Sequence, residues 1–130
     1  MTETQGQRAF ALQAVSNAMV KLHKEQFGRG PTNARAHFAG TDALVCVLEN
    51  ALLPAELKMV ALGEQNRVRD ARVAYQAATA NEFIAAVEQL VYRKVRAFAS
   101  GVDPDANVVF ESFYFEPREH GGDGDGAVGV

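Results

Sequence analysis

The stretch that decides the fold runs from Glu64 to Lys94 and reads EQNRVRDARVAYQAATANEFIAAVEQLVYRK. Its apolar residues recur with a helical period, which predicts one helix about 45 Å long at the usual rise per residue. One apolar side comprises Val68, Ala71, Tyr75, Thr79, Phe83, Ala86 and Leu90. The second side comprises Val73, Ala77, Ala80, Ile84 and Val91. A surface helix of a small domain needs only one apolar stripe. Two stripes therefore predict burial against a sheet and against another helix or a second subunit.

The rest of the chain supplies a second long helix, two hairpins and a short helix. The predicted elements are a helix Arg8–Phe27, strands Asn33–Phe38 and Ala43–Glu49, a short helix Pro54–Leu62, and strands Val95–Ser100 and Val108–Phe115. Clustered hairpins with separate helices predict an α+β domain. The expected architecture is an antiparallel four-stranded sheet built from two hairpins. An N-terminal helix and the long central helix cover it, in the order α-β-β-α-α-β-β.

The composition is that of an ordinary globular domain. The chain has 130 residues, of which 48% are hydrophobic and 22% charged, and this is enough to bury a core without disulfides or metals. We expect residues 1–116 to form one domain and the Gly/Asp-rich residues 117–130 to be disordered. A net charge of −3 argues against nucleic-acid binding, which needs concentrated Lys and Arg. The N-terminus is polar, the chain has a single cysteine, and no apolar run is long enough to span a bilayer. A soluble cytoplasmic protein is expected.

Reactive and metal-ligating side chains are sparse. There is no G-x-S-x-G motif, and Cys46 lies in mid-strand between two valines, where a thiol is usually a core residue. No histidine has a partner at metal-ligand spacing on a helix, so no metal and no cofactor are expected. His23 is interpreted as a solvated helix residue and His37 as a surface residue beside Arg35. We expect a protein that is not an enzyme, the alternative being an enzyme centred on Glu82 or on His37 with Arg35.

Two sets of charges call for an interpretation. Glu82 falls within the first apolar side of the long helix and is a candidate buried charge, which would need a cation or a hydrogen-bond donor. A structural ion pair is the expected role. Separately, six basic residues could line a small-anion site, although solvated helix charges are the usual outcome. They are Arg29, Arg35, His37, Arg67, Arg69 and Arg72.

Several short motifs, taken with their spacing, resemble a known family of small bacterial proteins. They are VKLHKE (Val20–Glu25), GRGP (Gly28–Pro31), LVCVLE (Leu44–Glu49), LPAE (Leu53–Glu56), RKV (Arg93–Val95) and DPD (Asp103–Asp105). The family carries the label MpsC, after a sodium-translocating membrane-potential-generating system, and the resemblance covers about Ala14–Glu116. The family often has threonine where Leu53 stands and glycine where Tyr92 stands. The resemblance implies a link to membrane energisation and to ion or bicarbonate transport, without assigning a catalytic residue.

Three functions remain open on these grounds. The first is a soluble accessory or regulatory protein of a membrane transport system that self-associates, most simply as a dimer. Its predicted contact residues are Val73, Ala77, Ala80 and Ile84. The second is a small-anion-binding module that uses Arg29, Arg35, His37 and the Arg67–Arg72 region. The third is the enzyme considered above. The doubly apolar helix and the strand Leu44–Leu48, apolar on both faces, favour the first.

Overall fold

The structure is a computed structural model that describes residues 5–118. The predicted disordered tail, residues 117–130, lies outside the described residues except for its first two positions. The elements are α1 (Gln5–Phe27), β1 (Asn33–Ala39), β2 (Ala43–Glu49), α2 (Pro54–Ala61), α3 (Gln65–Ala78), α4 (Ala80–Val91), β3 (Val95–Asp103) and β4 (Val108–Phe115).

The predicted α+β architecture is confirmed. The described elements form four helices and one antiparallel four-stranded sheet with strand order β1-β2-β4-β3. The two hairpins pair directly through β2 and β4, so the strands in the centre of the sheet come from different hairpins. In that pairing Cys46 of β2 lies opposite Glu111 of β4, and Glu111 in turn lies opposite Ser100 of β3.

The prediction of one continuous central helix is wrong, because the helix breaks at Thr79. Thr79 has φ −110° and ψ 12°, outside the helical range. Its hydroxyl donates to the carbonyl oxygen of Tyr75 at 3.1 Å, a side-chain bond that competes with the backbone and bends helices. The break gives the two halves different neighbours: α3 packs on β3, whereas α4 packs on α1 and on β3.

The core lies between the sheet and the helices on one face of the sheet. Its fully buried apolar side chains include Val15 and Met19 of α1, Leu44, Cys46 and Leu48 of β2, Leu52, Val68 of α3, Phe83 and Val87 of α4, and Val109, Phe113 and Phe115 of β4. The rings of Phe83, Phe98 and Phe113 are in contact across this layer, with centroid separations of 5.9 Å and 4.9 Å. Each such ring stabilises the fold by roughly 1.5–3 kcal/mol through burial.

Helix ends follow the predicted turn chemistry, with one exception. Gly28, after α1, has φ +87°, the left-handed conformation that glycine adopts without strain. At the end of α4 the same conformation falls on Tyr92, with φ 58° and ψ 39°. The Tyr92 side chain is 89% exposed, so it gains little from packing. This geometry gives a physical reason for the glycine that the resembling family often has here.

Replacing Tyr92 by glycine should stabilise the protein. A left-handed backbone costs an L-residue about 1 kcal/mol, and glycine avoids that cost while losing more chain entropy on folding. We expect Tyr92→Gly to raise the free energy of unfolding by several tenths of a kcal/mol up to about 1 kcal/mol in urea titrations. Tyr92→Ala, which keeps the Cβ, is the control. Equal stability for the two variants would contradict the role of the backbone.

Candidate functional site

Glu111 is the centre of a polar network that is buried between the sheet and two helices. The Glu111 side chain is 0% exposed. Its Oε2 atom accepts a hydrogen bond from Gln76 Nε2 of α3 at 2.5 Å and lies 2.9 Å from His23 Nε2 of α1. Ser100 of β3 donates its hydroxyl proton to Gln76 Oε1. The network therefore connects α1 and α3 to the two strands β3 and β4.

This network is sealed from solvent. His23 is 1% exposed and Gln76 is 1% exposed. Among residues 5–118, His23 Nδ1 and Glu111 Oε1 are buried without a hydrogen-bond partner. Because removing one member of a buried hydrogen-bonded pair leaves the other without its partner, such groups fix the position of the elements that carry them. The network therefore orients α1 and α3 on the sheet.

The interpretation of His23 as a solvated residue is wrong. His23 continues the line of buried residues Ala11, Val15 and Met19 at four-residue spacing along α1. Glu111 likewise falls on the apolar side of β4 by strand alternation. Both signals were present in the sequence: a polar residue in register with an apolar stripe predicts a buried polar side chain, although not which partner it finds.

Arg72 forms a buried ion pair with Glu56 of α2. Arg72 is 1% exposed, and its Nε and Nη2 atoms donate to the two carboxylate oxygens of Glu56 at 2.8 Å and 2.7 Å. Nη2 also donates to the carbonyl oxygen of Ala51 at 3.0 Å, and the guanidinium lies 3.9 Å from the ring centroid of Phe27. Burial alone would raise the pKa of Glu56, but the hydrogen bonds from Arg72 and from the Leu53 N–H, with the Arg72 charge, lower it.

Removing the charge of Glu56 should destabilise the protein in a pH-dependent way. We expect Glu56→Gln to cost roughly 1–3 kcal/mol at neutral pH, because the Arg72 guanidinium loses its charged acceptor. The pKa of Glu56 is depressed in the folded state. Its contribution is therefore complete above the ordinary carboxyl pKa and is lost as the pH falls through the lower, folded-state value.

Urea unfolding of wild type and Glu56→Gln across this acidic range measures the effect. The stability difference should shrink on acidification. Glu64→Gln is the control, because Glu64 pairs with Arg67 at the surface, where both side chains are largely exposed. A stability difference between wild type and Glu56→Gln that does not change with pH would contradict the linkage.

Cys46 is part of the core, and its thiol is unreactive in the folded protein. It is 0% exposed on β2 opposite Glu111. Burial and the nearby Glu111 carboxylate raise the pKa of the Cys46 thiol to about 12, while a hydrogen bond with Ser16 opposes the shift. The thiol is therefore protonated at neutral pH and cannot act as a thiolate nucleophile.

Maleimide labelling of Cys46 should occur only when the protein unfolds. In native buffer we expect negligible modification by mass spectrometry, and complete modification in denaturing urea, because both the missing thiolate and burial block attack. An Ala85→Cys variant places a second thiol on an exposed position of α4 and provides the positive control. Native labelling of Cys46 at the rate of the introduced cysteine would contradict its burial.

The opposite face of the sheet is not covered by any element between residues 5 and 118. We call it the outer face. Its middle comprises Arg35 and His37 of β1, Val45 and Val47 of β2, Ala97, Ala99 and Gly101 of β3, and Val108, Phe110, Ser112 and Tyr114 of β4. Its ends carry Asn33, Glu49 and Asp103 in one row and Ala39 and Ala43 in another, and the Arg96 guanidinium lies 5.7 Å from the Tyr114 ring centroid. Phe110 is 40% exposed and Tyr114 is 47% exposed, although the residues that alternate with them are buried beneath the helices. A contiguous exposed apolar patch of this kind is characteristic of an interaction surface.

The structure does not bring the six candidate anion-binding residues together. Arg72 and Arg29 lie near each other on the helix side, where Arg29 Nη1 donates to the carbonyl oxygen of Leu52 at 2.9 Å. Arg35 and His37 lie on the outer face, on the other side of the sheet. The anion-binding hypothesis stays a prediction, and it can no longer rest on one site formed by all six residues.

The remaining two members of that set pair locally at the start of α3. Arg67 Nε lies 3.1 Å from Glu64 Oε1, and Arg69 Nη1 donates to Asn66 Oδ1 at 2.8 Å. Arg67 is exposed and Arg69 is partly exposed. These are solvated helix charges, the usual outcome for such residues.

The prediction that Glu82 is a buried charge is wrong. Glu82 is exposed, and its Oε1 atom accepts a hydrogen bond from Gln26 Nε2 at 3.1 Å. The prediction centred the buried side of the helix too close to Glu82. The buried line of α4 passes through Phe83 and Val87, and Glu82 lies beside this line.

The predicted contact residues on the second helix side have mixed environments. Val73 is 42% exposed and Ala77 is exposed, whereas Ala80 and Ile84 are partly covered by the same chain. Their role in self-association stays a prediction.

The fold and the site define a small α+β protein whose sheet has one helix-covered face and one bare apolar face. The sequence matches the MpsC family, described as "Na+-translocating membrane potential-generating system (MpsC)", over residues 7–117. The chain belongs to this family, as the motifs predicted. No curated protein and no solved structure matches the chain. Within residues 5–118, no helix has both the length and the apolar character needed to cross a bilayer.

Proposed function

We propose that this chain is a non-enzymatic accessory or regulatory protein of a membrane-potential-generating transport system, and that it acts as a homodimer. The observation that carries the proposal is the outer face. The two sides of the sheet are both apolar, but helices cover only one of them. A second copy of the chain offers an identical face, and isologous contacts of this kind are the commonest in oligomers.

The apolar character of the outer face supports a stable contact rather than a transient one. Phe110 and Tyr114 come from the central strand β4, and Val45 and Val47 come from the neighbouring central strand β2. Aromatic residues at the centre of a patch are typical anchors of protein interfaces. Two sheets that pack face to face bury such residues in a layer about 10 Å thick.

The state of the buried polar groups supports a non-enzymatic role. A catalytic acid or base must reach the reacting atoms of a substrate. Glu111 and His23 are paired with each other at 0% and 1% exposure, and Arg72 is committed to Glu56. These buried acidic and basic side chains are thus used to hold helices in place.

The family description supports the link to membrane energisation. It names a sodium-translocating system, and a domain that exposes an apolar face can serve such a system by binding another component. We assign Val73 and Ala77 of α3 to this second contact, because they are exposed on the helix side and stay accessible when the outer face is covered.

A charge placed on the outer face should dissociate the dimer. We expect Phe110→Lys to weaken self-association roughly 30-fold or more, since loss of a central aromatic anchor costs about 2 kcal/mol. Sedimentation velocity over a wide concentration range measures the effect. Phe10→Lys is the matched control, because Phe10 is 77% exposed on α1, away from the sheet. Val73→Lys tests the helix side.

The possible outcomes separate the two surfaces. Loss of the dimer in Phe110→Lys alone supports the outer face as the contact. Loss of the dimer in Val73→Lys alone transfers self-association to the helix side and contradicts the assignment. A wild-type chain that is monomeric at the highest concentration reached would overturn self-association itself.

A further inference from the structure

We propose a specific geometry for the dimer: the two outer faces pack about a two-fold axis parallel to the strands, so that β1 of each copy covers β3 of the other. This inference rests on the proposed homodimer and adds to it the partner strand and the contacts at the rim. In this arrangement Arg35 of one copy lies over Gly101 of the partner subunit and within reach of Asp103 of the partner subunit.

The sizes of the side chains on the two edge strands point to this arrangement. In the two middle rows of the outer face, β1 presents the long side chains of Arg35 and His37, whereas β3 presents Ala99 and Gly101. In the Tyr114 row β1 presents the small Ala39, whereas on β3 the Arg96 guanidinium lies over the Tyr114 ring. The register places Arg35, Val47, Phe110 and Gly101 in one row across the sheet. When β1 covers β3 of the second copy, long side chains meet small ones at both rims, and Val47 meets Phe110 in the centre.

The alternative two-fold axis, perpendicular to the strands, gives a poor fit. It would place β1 over β1 and β3 over β3. Arg35 would then face His37 of the partner subunit, which brings two basic side chains together. At the other rim, Ala99 would face Gly101, and two small side chains would leave a gap between sheets that are about 10 Å apart. Both rims therefore disfavour this axis.

Charge at the ends of the rows supports the same choice. Asp103 is exposed at the end of β3, one row beyond Gly101, and its Oδ1 atom accepts a hydrogen bond from the Ala106 N–H at 3.1 Å. No ion pair within residues 5–118 involves Arg35 or Asp103. With β1 over β3, Arg35 of each copy contacts Asp103 of the partner subunit, so that two-fold symmetry gives this contact twice, once at each rim.

The size of the face is sufficient for a specific dimer. Four strands about 4.8 Å apart and four rows about 6.8 Å apart give a footprint of roughly 20 Å by 27 Å. Two copies then bury roughly 1,000 Å² or more in total, which reaches the lower limit for specific interfaces.

Thiol cross-linking between two different single variants tests the geometry. Arg35→Cys and Gly101→Cys are prepared separately, mixed, and treated with a bismaleimide that spans about 10 Å, the separation of packed sheets. Gly101 accepts a side chain, because a Cβ atom there meets nothing within 4 Å, and native Cys46 is buried. We expect a covalent dimer in this mixture. Arg35→Cys alone should give none, because its two copies lie roughly 18 Å apart across the sheet.

The alternative axis predicts the opposite pattern. A cross-link in a mixture of Arg35→Cys with His37→Cys, and none with Gly101→Cys, would overturn the geometry while leaving the homodimer intact. Sedimentation of the same samples before cross-linking shows whether a dimer exists at all, so failure of the proposed function is recognised separately.

A charge exchange provides a second test that needs no added thiol. Arg35→Asp and Asp103→Arg should each weaken association by a few fold, as expected for a rim ion pair. The double variant should restore wild-type affinity, because it re-forms both contacts with reversed charges. A double variant that is weaker than both single variants would contradict the Arg35–Asp103 contact.

Discussion

The buried carboxylate of Glu111 is the constraint on which the rest of the structure depends. A carboxylate at the centre of a sheet cannot be left without hydrogen-bond donors in a low-dielectric core. Gln76 Nε2 of α3 donates a hydrogen bond to this carboxylate, and His23 Nε2 of α1 lies 2.9 Å from it. This requirement brings both helices to the same face of the sheet. The other face is left to water or to a partner.

The remaining polar contacts follow from that arrangement. Once α3 lies across the sheet, Arg72 enters the core and needs a counter-charge, which Glu56 of α2 supplies. α4 must then turn to pack on α1, and the break at Thr79 provides the change of direction. The buried charged and polar groups of the helix layer therefore form hydrogen bonds and ion pairs within the chain. The outer face carries the apolar surface that internal packing does not use, and we assign it to self-association.

The sequence was sufficient for the fold class but not for the site. Hairpins and helices were predicted from local signals such as Gly28 and the alternation in β4, and the family was predicted from spaced motifs. The break at Thr79 was missed because one hydroxyl competing with a helical carbonyl is too weak a signal in an apolar-periodic stretch. A separate error in the helical phase placed Glu82 in the core and left Arg72 in solvent. The buried line runs through Val68, Arg72 and Gln76 and continues through Phe83 and Val87. The pairing of His23 with Glu111 joins residues 88 positions apart, which no local pattern predicts.

The most direct test of self-association through the outer face is an isotope-filtered nuclear Overhauser experiment on a sample that mixes labelled and unlabelled chains. Such an experiment detects only contacts between different copies. Self-association through the outer face predicts intermolecular signals from the rings of Phe110 and Tyr114 to the methyl groups of Val45 and Val47. Intermolecular signals confined to Val73 and Ala77 of α3, or none from a sample that sediments as a dimer, would contradict it.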